Sequence, residues 1–276
     1  MAAASGAALK FSLSAVYRRR DGTVKQRRAG RRGKAALSTQ SPATINPAGF
    51  LRKGLQMTSS EHYAVARRHM VESQVRPNKV TDDRVADAML DTPRELFVPK
   101  PFRGVAYMDE DIKIAHGRFL IEPMVFARLL QEAGIEAGDT VLDIGCGTGY
   151  STAVLGHLAG TVVALEGDRD LAARATEILA ELGIDNAAVV EGPLNNGLPD
   201  QGPFDIILLN GSVADVPDAL INQIAEGGRM MAVIVRKGIG RATRFDRING
   251  LVSHRDLFDA SIPALPGFSR EPGFVF

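Results

Sequence analysis

The apolar and polar positions of the chain change pattern near Gly134. Before it, residues 61–75 place apolar side chains at helical spacing, with charged residues elsewhere. After it, nearly continuous apolar runs such as VLDIG at 141–145 alternate with amphipathic stretches. Strands covered on both faces are continuously apolar, whereas surface helices have a period of 3.6 residues. The pattern therefore predicts helices first and an alternation of strands and helices afterwards.

The region before Gly134 predicts a helical cap with irregular connections. Thr81 is expected to cap a short helix that has Asp82 in its first turn. Residues 107–121 show no clear period and predict an irregular segment. Pro123, at a first helical turn, predicts a helix that runs to Gly134.

The region after Gly134 predicts a doubly wound sheet. Five strands alternate with helices, and such strands run parallel through right-handed crossovers. The predicted strands span 141–145, 161–166, 187–191, 204–210 and 229–235. The predicted helices follow the first strand to about residue 159 and then span 168–182 and 214–225.

The last part of the chain departs from that alternation. Two strand-like runs are joined by Asn249-Gly250, and Asn-Gly is the strongest short-range signal for a β-hairpin. A parallel sheet that finishes in an antiparallel hairpin is usual in methyltransferases that use S-adenosyl-L-methionine (AdoMet). The predicted fold class is α/β, a doubly wound, mostly parallel seven-stranded sheet, and its ending resembles that of the class I methyltransferase type. Residues 57–276 are predicted to form one domain. It divides into an N-terminal helical cap at 57–134 and an α/β core at 135–276.

Charge separates the first 56 residues from the rest. Of 33 basic and 32 acidic residues this segment holds twelve and one, which leaves a net charge of −10 on residues 57–276. It lacks the apolar residues that offset ordering entropy, so residues 1–56 are expected to be a disordered basic extension. Three interpretations stay open: upstream translated sequence before a start at Met57, an organelle transit peptide, or a basic tether. The acidic remainder is poorly suited to gripping a nucleic-acid backbone, so no nucleic-acid partner is expected.

Composition argues against several other classes of protein. One cysteine, Cys146, rules out a disulfide framework and a multi-thiolate zinc site, and it fits a reducing compartment, the cytoplasm. The five histidines lie far apart without metal-ligand spacing, so no metal site is expected. Residues 144–165 lack charged side chains but hold five glycines, which would break a membrane-spanning helix. We expect no membrane partner and a monomer.

The sharpest local signal is the glycine cluster that follows the first predicted strand. Three alternate glycines, at positions 145, 147 and 149, follow Asp143, and they let the backbone turn tightly and a ligand approach the main chain. The dinucleotide fingerprint requires Gly or Ala three residues after the second glycine, where this chain has Tyr150. No Gly-Lys-Ser/Thr follows, which excludes a P-loop. The motif Asp-x-Gly-x-Gly-x-Gly resembles motif I of class I methyltransferases.

The chemistry of AdoMet fits the residues around this motif. AdoMet has no phosphate but carries a cationic sulfonium and ammonium, so Asp143 can supply the negative potential that they need. Glu166 ends the second predicted strand, where a carboxylate can accept hydrogen bonds from both ribose hydroxyls. Cys146 is expected to be a small packed residue of the loop, and His116 is either an active-site residue or an ordinary polar loop residue. AdoMet is the predicted cofactor.

Longer strings resemble the protein-L-isoaspartate O-methyltransferase family. They are MVESQV at 70–75, TDDRVADAMLDTPRELFVP at 81–99, AYMDEDIKI at 106–114, VLDIGCGTGYSTAVLGHLAG at 141–160 and PFDIILLNGSVADVPDALINQIAEGGRM at 203–230. The Pro-Arg-Glu-x-Phe-Val-Pro and Ala-Tyr-x-Asp strings are the most specific of these. The resemblance implies methyl transfer from AdoMet to the free α-carboxylate of an L-isoaspartyl residue, whose ester then closes to a succinimide. The implied partner is a damaged protein or peptide that contains isoaspartate.

The chain departs from this family where the resemblance places the substrate. The family has Gly-Gln-Thr-Ile-Ser, and this chain has GRFLI at 117–121, so the family's active-site serine position is Ile121. An isoleucine cannot hydrogen-bond a carboxylate, and the following Glu122 would repel one. Arg118 is the candidate catalytic residue, because an arginine can hold a carboxylate with two parallel hydrogen bonds.

The cofactor side departs from the family as well. The family's Gly-Asp-Gly after the third strand, whose acid lies near the adenine, is Gly-Pro-Leu at 192–194, and Glu191 is the candidate substitute for that acid. The family's Thr-Ala-Ala after the fourth strand is Asn-Gly-Ser at 210–212. The candidate cofactor-binding residues are Asp143, Gly145, Cys146, Gly147, Gly149, Glu166, Glu191 and Asn210.

Three functions stay open at this point. The first is protein-L-isoaspartate O-methyltransferase activity, which the resemblance implies. The second is a diverged AdoMet-dependent methyltransferase that acts on another small-molecule or protein nucleophile. The third is a non-catalytic AdoMet-binding protein, because an enzyme can lose its activity when an active-site serine is replaced by an apolar residue such as Ile121.

Overall fold

The computed structural model describes residues 58–268, so the predicted basic extension at 1–56 lies outside the described residues. The first helix, α1, spans Ser59–Met70 and begins two residues before the predicted start. Thr58 and Glu61 form a capping box, in which Thr58 Oγ1 accepts from the Glu61 N–H and the Glu61 carboxylate accepts from the Thr58 N–H. The helical path continues through a π-helical turn, Val71–Val75, as far as the predicted end.

The second helix, α2, spans Asp83–Asp91 and corrects the predicted cap. Asp82, and not Thr81, is its N-cap, since the Asp82 carboxylate accepts a hydrogen bond of 2.9 Å from the Arg84 N–H. The Thr81 and Asp82 N–H groups instead donate to the side-chain oxygen of Gln131 on the third helix. This tertiary contact draws Thr81 out of the helix, which the local pattern could not reveal.

A short hairpin replaces the irregular segment that was predicted for residues 107–121. Strand β1 (Ile112–Ala115) pairs antiparallel with β2 (Arg118–Leu120), with Ile112 opposite Leu120. His116 and Gly117 form the connecting turn, and Gly117 has a φ of +65°. The prediction was wrong because strands of three and four residues are too short to display a period of two. The hairpin matters for the site, because it carries Arg118.

The third helix, α3, spans Pro123–Ala133 and confirms the prediction for this stretch. Gly134 ends it in the left-handed conformation, with a φ of +57°. The remaining elements are β3 (Thr140–Ile144), α4 (Tyr150–Leu158), β4 (Thr161–Glu166), α5 (Arg169–Glu181), β5 (Ala187–Glu191), β6 (Phe204–Val213), α6 (Asp218–Ile221), β7 (Ile224–Arg236), β8 (Ile239–Ile248) and β9 (Leu251–Asp259).

The seven core strands form one sheet in the order β5-β4-β3-β6-β7-β8-β9. The first five strands of this order are parallel, and β8 and β9 complete the sheet as antiparallel neighbours. The strand order reverses between β3, β4 and β6, and ligands of doubly wound sheets bind beyond the carboxyl ends of the strands at this point. Both faces of the sheet are covered, since Leu142 and Val141 of β3 are buried in different apolar clusters.

The helix predicted for 214–225 is much shorter, because the strands on either side of it are longer than predicted. Strand β6 continues to Val213, where the Ser212 N–H donates to the Pro263 carbonyl and the Ser212 carbonyl accepts from the Leu265 N–H, both at 2.8 Å. Strand β7 already begins at Ile224. Pairing with the distant segment around residues 263–265 therefore overrides the local helical pattern.

The predicted terminal hairpin is confirmed. Asn249 and Gly250 connect β8 to β9 with φ values of 52° and 75°. Two consecutive positive φ angles define the type I′ turn that Asn-Gly favours. In the described part of the chain, no helix has the length and apolar content needed to cross a membrane.

Candidate cofactor site

The glycine cluster forms a tight turn between β3 and α4. Gly145, Gly147 and Gly149 have φ values of 74°, 60° and 93°, which residues with a side chain rarely adopt. A Cβ atom on Gly147 would lie 2.6 Å from Cδ1 of Ile114, which belongs to the β1–β2 hairpin. The turn therefore requires glycine for its conformation, and Gly147 also lets the Ile114 side chain of that hairpin pack closely against it.

Asp143 lies beneath this turn and is completely buried. Its Oδ2 accepts hydrogen bonds of 2.7 Å from Ser151 Oγ and Thr152 Oγ1 of α4, and its Oδ1 accepts from the side-chain amide of Asn210. Burial raises the pKa of Asp143, and these hydrogen bonds act in the opposite direction. Asp143 thus holds the turn against α4, and it can affect a ligand through its negative electrostatic potential.

Asn210 joins the ends of two neighbouring strands. Its side-chain amide donates to Asp143 and also, at 3.2 Å, to the Ile144 carbonyl. Asn210 is part of β6, and Ile144 is the last residue of β3. The amide therefore holds the carboxyl ends of β3 and β6 together. We call the space beyond these strand ends, next to the glycine turn, the crevice.

Glu166 is the last residue of β4 and is completely buried. Its Oε2 accepts from the Gly147 N–H at 2.7 Å, and its Oε1 accepts from the N–H groups of Gly167 and Asp168 at 2.8 and 3.0 Å. Oε1 also accepts from the guanidinium of Arg118. The predicted ribose acceptor therefore lies beside the glycine turn, as its position at a strand end suggested.

Arg118 lies inside this crevice. Its side chain is 5% exposed, its Nη1 is paired with Glu166, and its Nη2 donates to the Gly145 carbonyl at 2.9 Å. The prediction from the sequence had Arg118 facing the substrate carboxylate. In this structure the guanidinium instead faces the residues predicted to bind the cofactor.

The other predicted residues lie around this centre. Cys146 is 4% exposed and packs with Ala164 and Ala175, and burial raises the pKa of its thiol well above the usual value, which agrees with a packing role. Glu191 is exposed and is in register with Glu166 on the neighbouring strand. His116 is exposed at the tip of the β1–β2 turn.

Arg94 was not among the residues predicted for the site. This residue is completely buried and lies 4.7 Å from the centroid of the Tyr150 ring. Its Nε donates to the Ala106 carbonyl at 2.8 Å, and its Nη2 donates to the Ile121 carbonyl at 2.7 Å. Within the cap, Arg94 therefore ties the segment around Ala106 to the segment that holds Ile121. Its place in the Pro-Arg-Glu-x-Phe-Val-Pro string was the only sign of its importance in the sequence, and that string does not reveal which groups Arg94 contacts.

Glu122 follows Ile121 and lies among other carboxylates. Burial, Asp111 and Asp109 raise the pKa of Glu122 to about 7. The Asp111 side chain accepts from the Glu122 N–H at 3.0 Å, which keeps that carboxylate close. Because its folded pKa lies above its ordinary value of 4.5, the folded protein binds more protons than the unfolded chain between pH 4.5 and about 7. Glu122 therefore lowers stability as the pH rises through this window.

Glu122→Gln is expected to raise the Tm at pH 8 and to leave it nearly unchanged at pH 4. The substitution removes the charge whose burial is unfavourable above pH 7, and at pH 4 the wild-type side chain is already neutral. Thermal unfolding at both pH values measures the difference. Glu110→Gln, at an exposed carboxylate in the same region, is the matched control and should change neither Tm. An equal effect of Glu122→Gln at both pH values would contradict the raised pKa.

The residues of the crevice fit the predicted cofactor. The glycine turn lets a ligand approach the main chain, Glu166 offers a buried acceptor for a ribose diol, and Asp143 adds negative potential for a cationic ligand. Among the residues the structure describes, no three His, Cys, Asp or Glu side chains form a metal-binding group. The parallel sheet, its antiparallel ending and these strand-end residues together define the class I methyltransferase fold.

Comparison with known proteins identifies the family. The model of the family "Protein-L-isoaspartate(D-aspartate) O-methyltransferase (PCMT)" matches residues 65–262. The chain is 41% identical over 192 residues to the protein-L-isoaspartate O-methyltransferase of Koribacter versatilis, which covers 66% of this chain and 86% of that protein. A relative of the same name from Methanoculleus marisnigri is 39% identical over 168 residues, 61% of this chain and 76% of that one. The chain belongs to this family and is an AdoMet-dependent methyltransferase.

Solved structures agree with this assignment. A protein-L-isoaspartate O-methyltransferase structure, 25% identical, superposes with a TM-score of 0.64 over 73% of this chain and 67% of its own. A Plasmodium falciparum structure assigned to the same methyltransferase, in complex with S-adenosyl-L-homocysteine (AdoHcy), superposes with a TM-score of 0.65 at 23% identity. It covers 73% of this chain and 98% of its own, and it supports the fold.

Proposed function

We propose that this chain methylates the free carboxylate of L-isoaspartyl residues in damaged proteins. The observation that carries the proposal is the family match over residues 65–262, which includes the glycine turn and Glu166 at adjacent strand ends. AdoMet supplies the methyl group, which its sulfonium gives up to a carboxylate oxygen. Gly145, Gly147 and Gly149 would accommodate the cofactor against the main chain, and Glu166 would accept hydrogen bonds from its ribose. Asp143, Cys146, Asn210 and Glu191 complete the proposed cofactor-binding set.

The acceptor carboxylate needs little chemical activation. A carboxylic acid is ionised near pH 7, so a strong general base is unnecessary. The protein has to align the carboxylate with the methyl group and to exclude water. Ile121, 4% exposed, supplies an apolar wall where the family has its serine, and it leaves the carboxylate without a hydroxyl donor. Arg118 is the proposed donor in its place.

A cavity beside this crevice is the proposed peptide site. Its volume is about 590 Å³, and it adjoins the hairpin turn and the end of β6. Gly117 lines it next to Arg118, and Ser212 lines it at the end of β6. The segment that pairs with β6 closes another side through Leu265. A peptide in this cavity would bring its carboxylate next to the residue proposed to hold it.

A methyl-transfer assay tests the proposed function. Purified full-length protein is incubated with radiolabelled AdoMet and either an isoaspartyl peptide or the aspartyl peptide of the same sequence. We expect base-labile label in the isoaspartyl peptide only. Equal labelling of both peptides would favour a diverged methyltransferase, and no labelling with retained AdoHcy binding would favour a non-catalytic protein.

Residues 57–276 are proposed to form the complete catalytic domain of a monomeric, cytoplasmic enzyme. The family match begins at residue 65, well after the basic extension. We expect a fragment of residues 57–276 to fold and to bind AdoHcy as the full chain does, because residues 1–56 lack a pattern suited to packing. Calorimetry on both proteins measures this. An insoluble fragment, or one without AdoHcy affinity, would show that the extension is structural.

A further inference from the structure

The ion pair between Arg118 and Glu166 lies where the proposed function places the ribose. Glu166 accepts four hydrogen bonds, and its two oxygens provide about four lone-pair sites. Three of the donors are main-chain N–H groups, of Gly147, Gly167 and Asp168, which the turn and the strand end hold in place. The guanidinium of Arg118 is the fourth, and it belongs to a side chain that can rotate. Three of the four bonds end on Oε1 and only that of Gly147 ends on Oε2, so a ribose diol that donates to both oxygens finds Oε1 already occupied.

The second contact of Arg118 opposes the cofactor as well. Its Nη2 donates to the Gly145 carbonyl at 2.9 Å, and it would lie 3.2 Å from a Cβ built on Gly145. The guanidinium is thus packed against the glycine turn that has to accommodate the ligand. AdoMet carries positive charge of its own, so a buried arginine at this position also repels it. Both contacts place the guanidinium where the proposed function places the nucleoside, and its charge disfavours the cationic cofactor.

The geometry points to Arg118 as an internal competitor of AdoMet, which must leave Glu166 before the nucleoside binds. This inference rests on the proposed function, since it assumes that the crevice holds AdoMet. The arginine leaves the crevice by rotation on the short β1–β2 hairpin, whose turn at His116 and Gly117 is exposed. Cofactor binding then releases a guanidinium beside the proposed peptide cavity, so the cofactor binds before the peptide carboxylate.

Calorimetric titration of the full chain with AdoHcy tests the competition. We call the state in which Arg118 has left Glu166 the open state. A ligand that binds only this state has an apparent Kd equal to its intrinsic Kd divided by the fraction of the protein in the open state. Arg118→Gln removes the guanidinium that occupies Glu166 and the Gly145 carbonyl, and we expect it to tighten AdoHcy binding about tenfold or more. Arg118→Lys keeps the charge but cannot bridge Glu166 and the Gly145 carbonyl as a fork does, so an intermediate Kd is expected. Arg169→Gln, at an exposed arginine in the first turn of α5, is the control and should stay within about twofold of wild type.

Chemical modification of the wild-type protein tests the same movement without a variant. Phenylglyoxal reacts with accessible arginines, and mass spectrometry of the peptide containing Arg118 reports its modification. We expect slow modification without ligand, because the side chain is 5% exposed, and faster modification when AdoHcy is saturating. Equal protection of Arg118 in both conditions would overturn the proposal.

The outcomes also separate this proposal from the cofactor assignment. Equal or weaker AdoHcy binding by Arg118→Gln, with measurable binding by wild type, overturns the competition and leaves the cofactor assignment standing. Absence of AdoHcy binding by wild type and both Arg118 variants overturns the two together. Tighter binding by Arg118→Gln supports both.

Discussion

Glu166→Gln is expected to weaken AdoHcy binding by about 1–3 kcal/mol, or about 5- to 150-fold in Kd. The amide replaces an acceptor with a donor beside the N–H groups that now donate to Glu166, and it removes the charge-assisted contacts proposed for the ribose. Arg118 loses its partner in this variant. The same comparison in the Arg118→Gln background therefore isolates the contribution of the ribose contacts.

Calorimetry with AdoHcy measures the effect of Glu166→Gln. Asp170→Asn, at an exposed carboxylate in the first turn of α5, makes the same change in charge outside the crevice and should leave the Kd nearly unchanged. Circular dichroism of each variant verifies that the fold is retained. Equal affinity of wild type and Glu166→Gln in both backgrounds would contradict the assignment of this crevice to the nucleoside.

Arg94→Ala is expected to lower the free energy of unfolding by about 3–5 kcal/mol. The substitution leaves two buried carbonyls, of Ala106 and Ile121, without their donor, and it empties the space beside the Tyr150 ring. Burial lowers the pKa of Arg94, so the native charge has a cost of its own. Arg94→Met fills much of the space and removes the buried charge, so it should lose less stability than Arg94→Ala.

Urea denaturation followed by circular dichroism measures this loss. Arg68→Ala, at an exposed arginine of α1, is the matched control and should change stability by no more than about 0.5 kcal/mol. The position of the segment that carries Arg118 and Ile121 depends on Arg94, so Arg94→Ala should also reduce methyl transfer. A denaturation midpoint equal to that of wild type would show that the cap is held by other contacts.

The sheet could be predicted from the sequence because burial on both faces leaves a plain signal. The strand at 161–166 is an apolar run in which every residue but the first is buried, and it has the predicted limits. The strand at 187–191 also has the predicted limits, although it lies at the edge of the sheet and is only partly buried. The short pairings of the hairpin at 112–120 and the extension of β6 to Val213 depend on distant partners, which leave no local period. Local pattern thus predicts elements well where a strand's environment is uniform, and less well where pairing decides the conformation.

The site likewise has residues that could be predicted from the sequence and contacts that could not. Asp143 and Glu166 could be predicted because acids at the ends of consecutive parallel strands meet at one edge of the sheet. The contact between Glu166 and Arg118, 48 residues apart, could not be predicted, because it depends on how the β1–β2 hairpin packs against the glycine turn. The contacts of Arg94 could not be predicted either, because both acceptors are backbone carbonyls, which every residue has.

Repair of an isoaspartyl peptide is the measurement that tests the central claim most directly. The peptide is incubated with the full-length protein and AdoMet, and chromatography separates the isoaspartyl, succinimide and aspartyl forms over time. The account predicts that the isoaspartyl form declines while the succinimide and then the aspartyl form accumulate, and that Glu166→Gln slows this conversion. An isoaspartyl peptide that persists unchanged, with AdoMet bound but unconsumed, would contradict it.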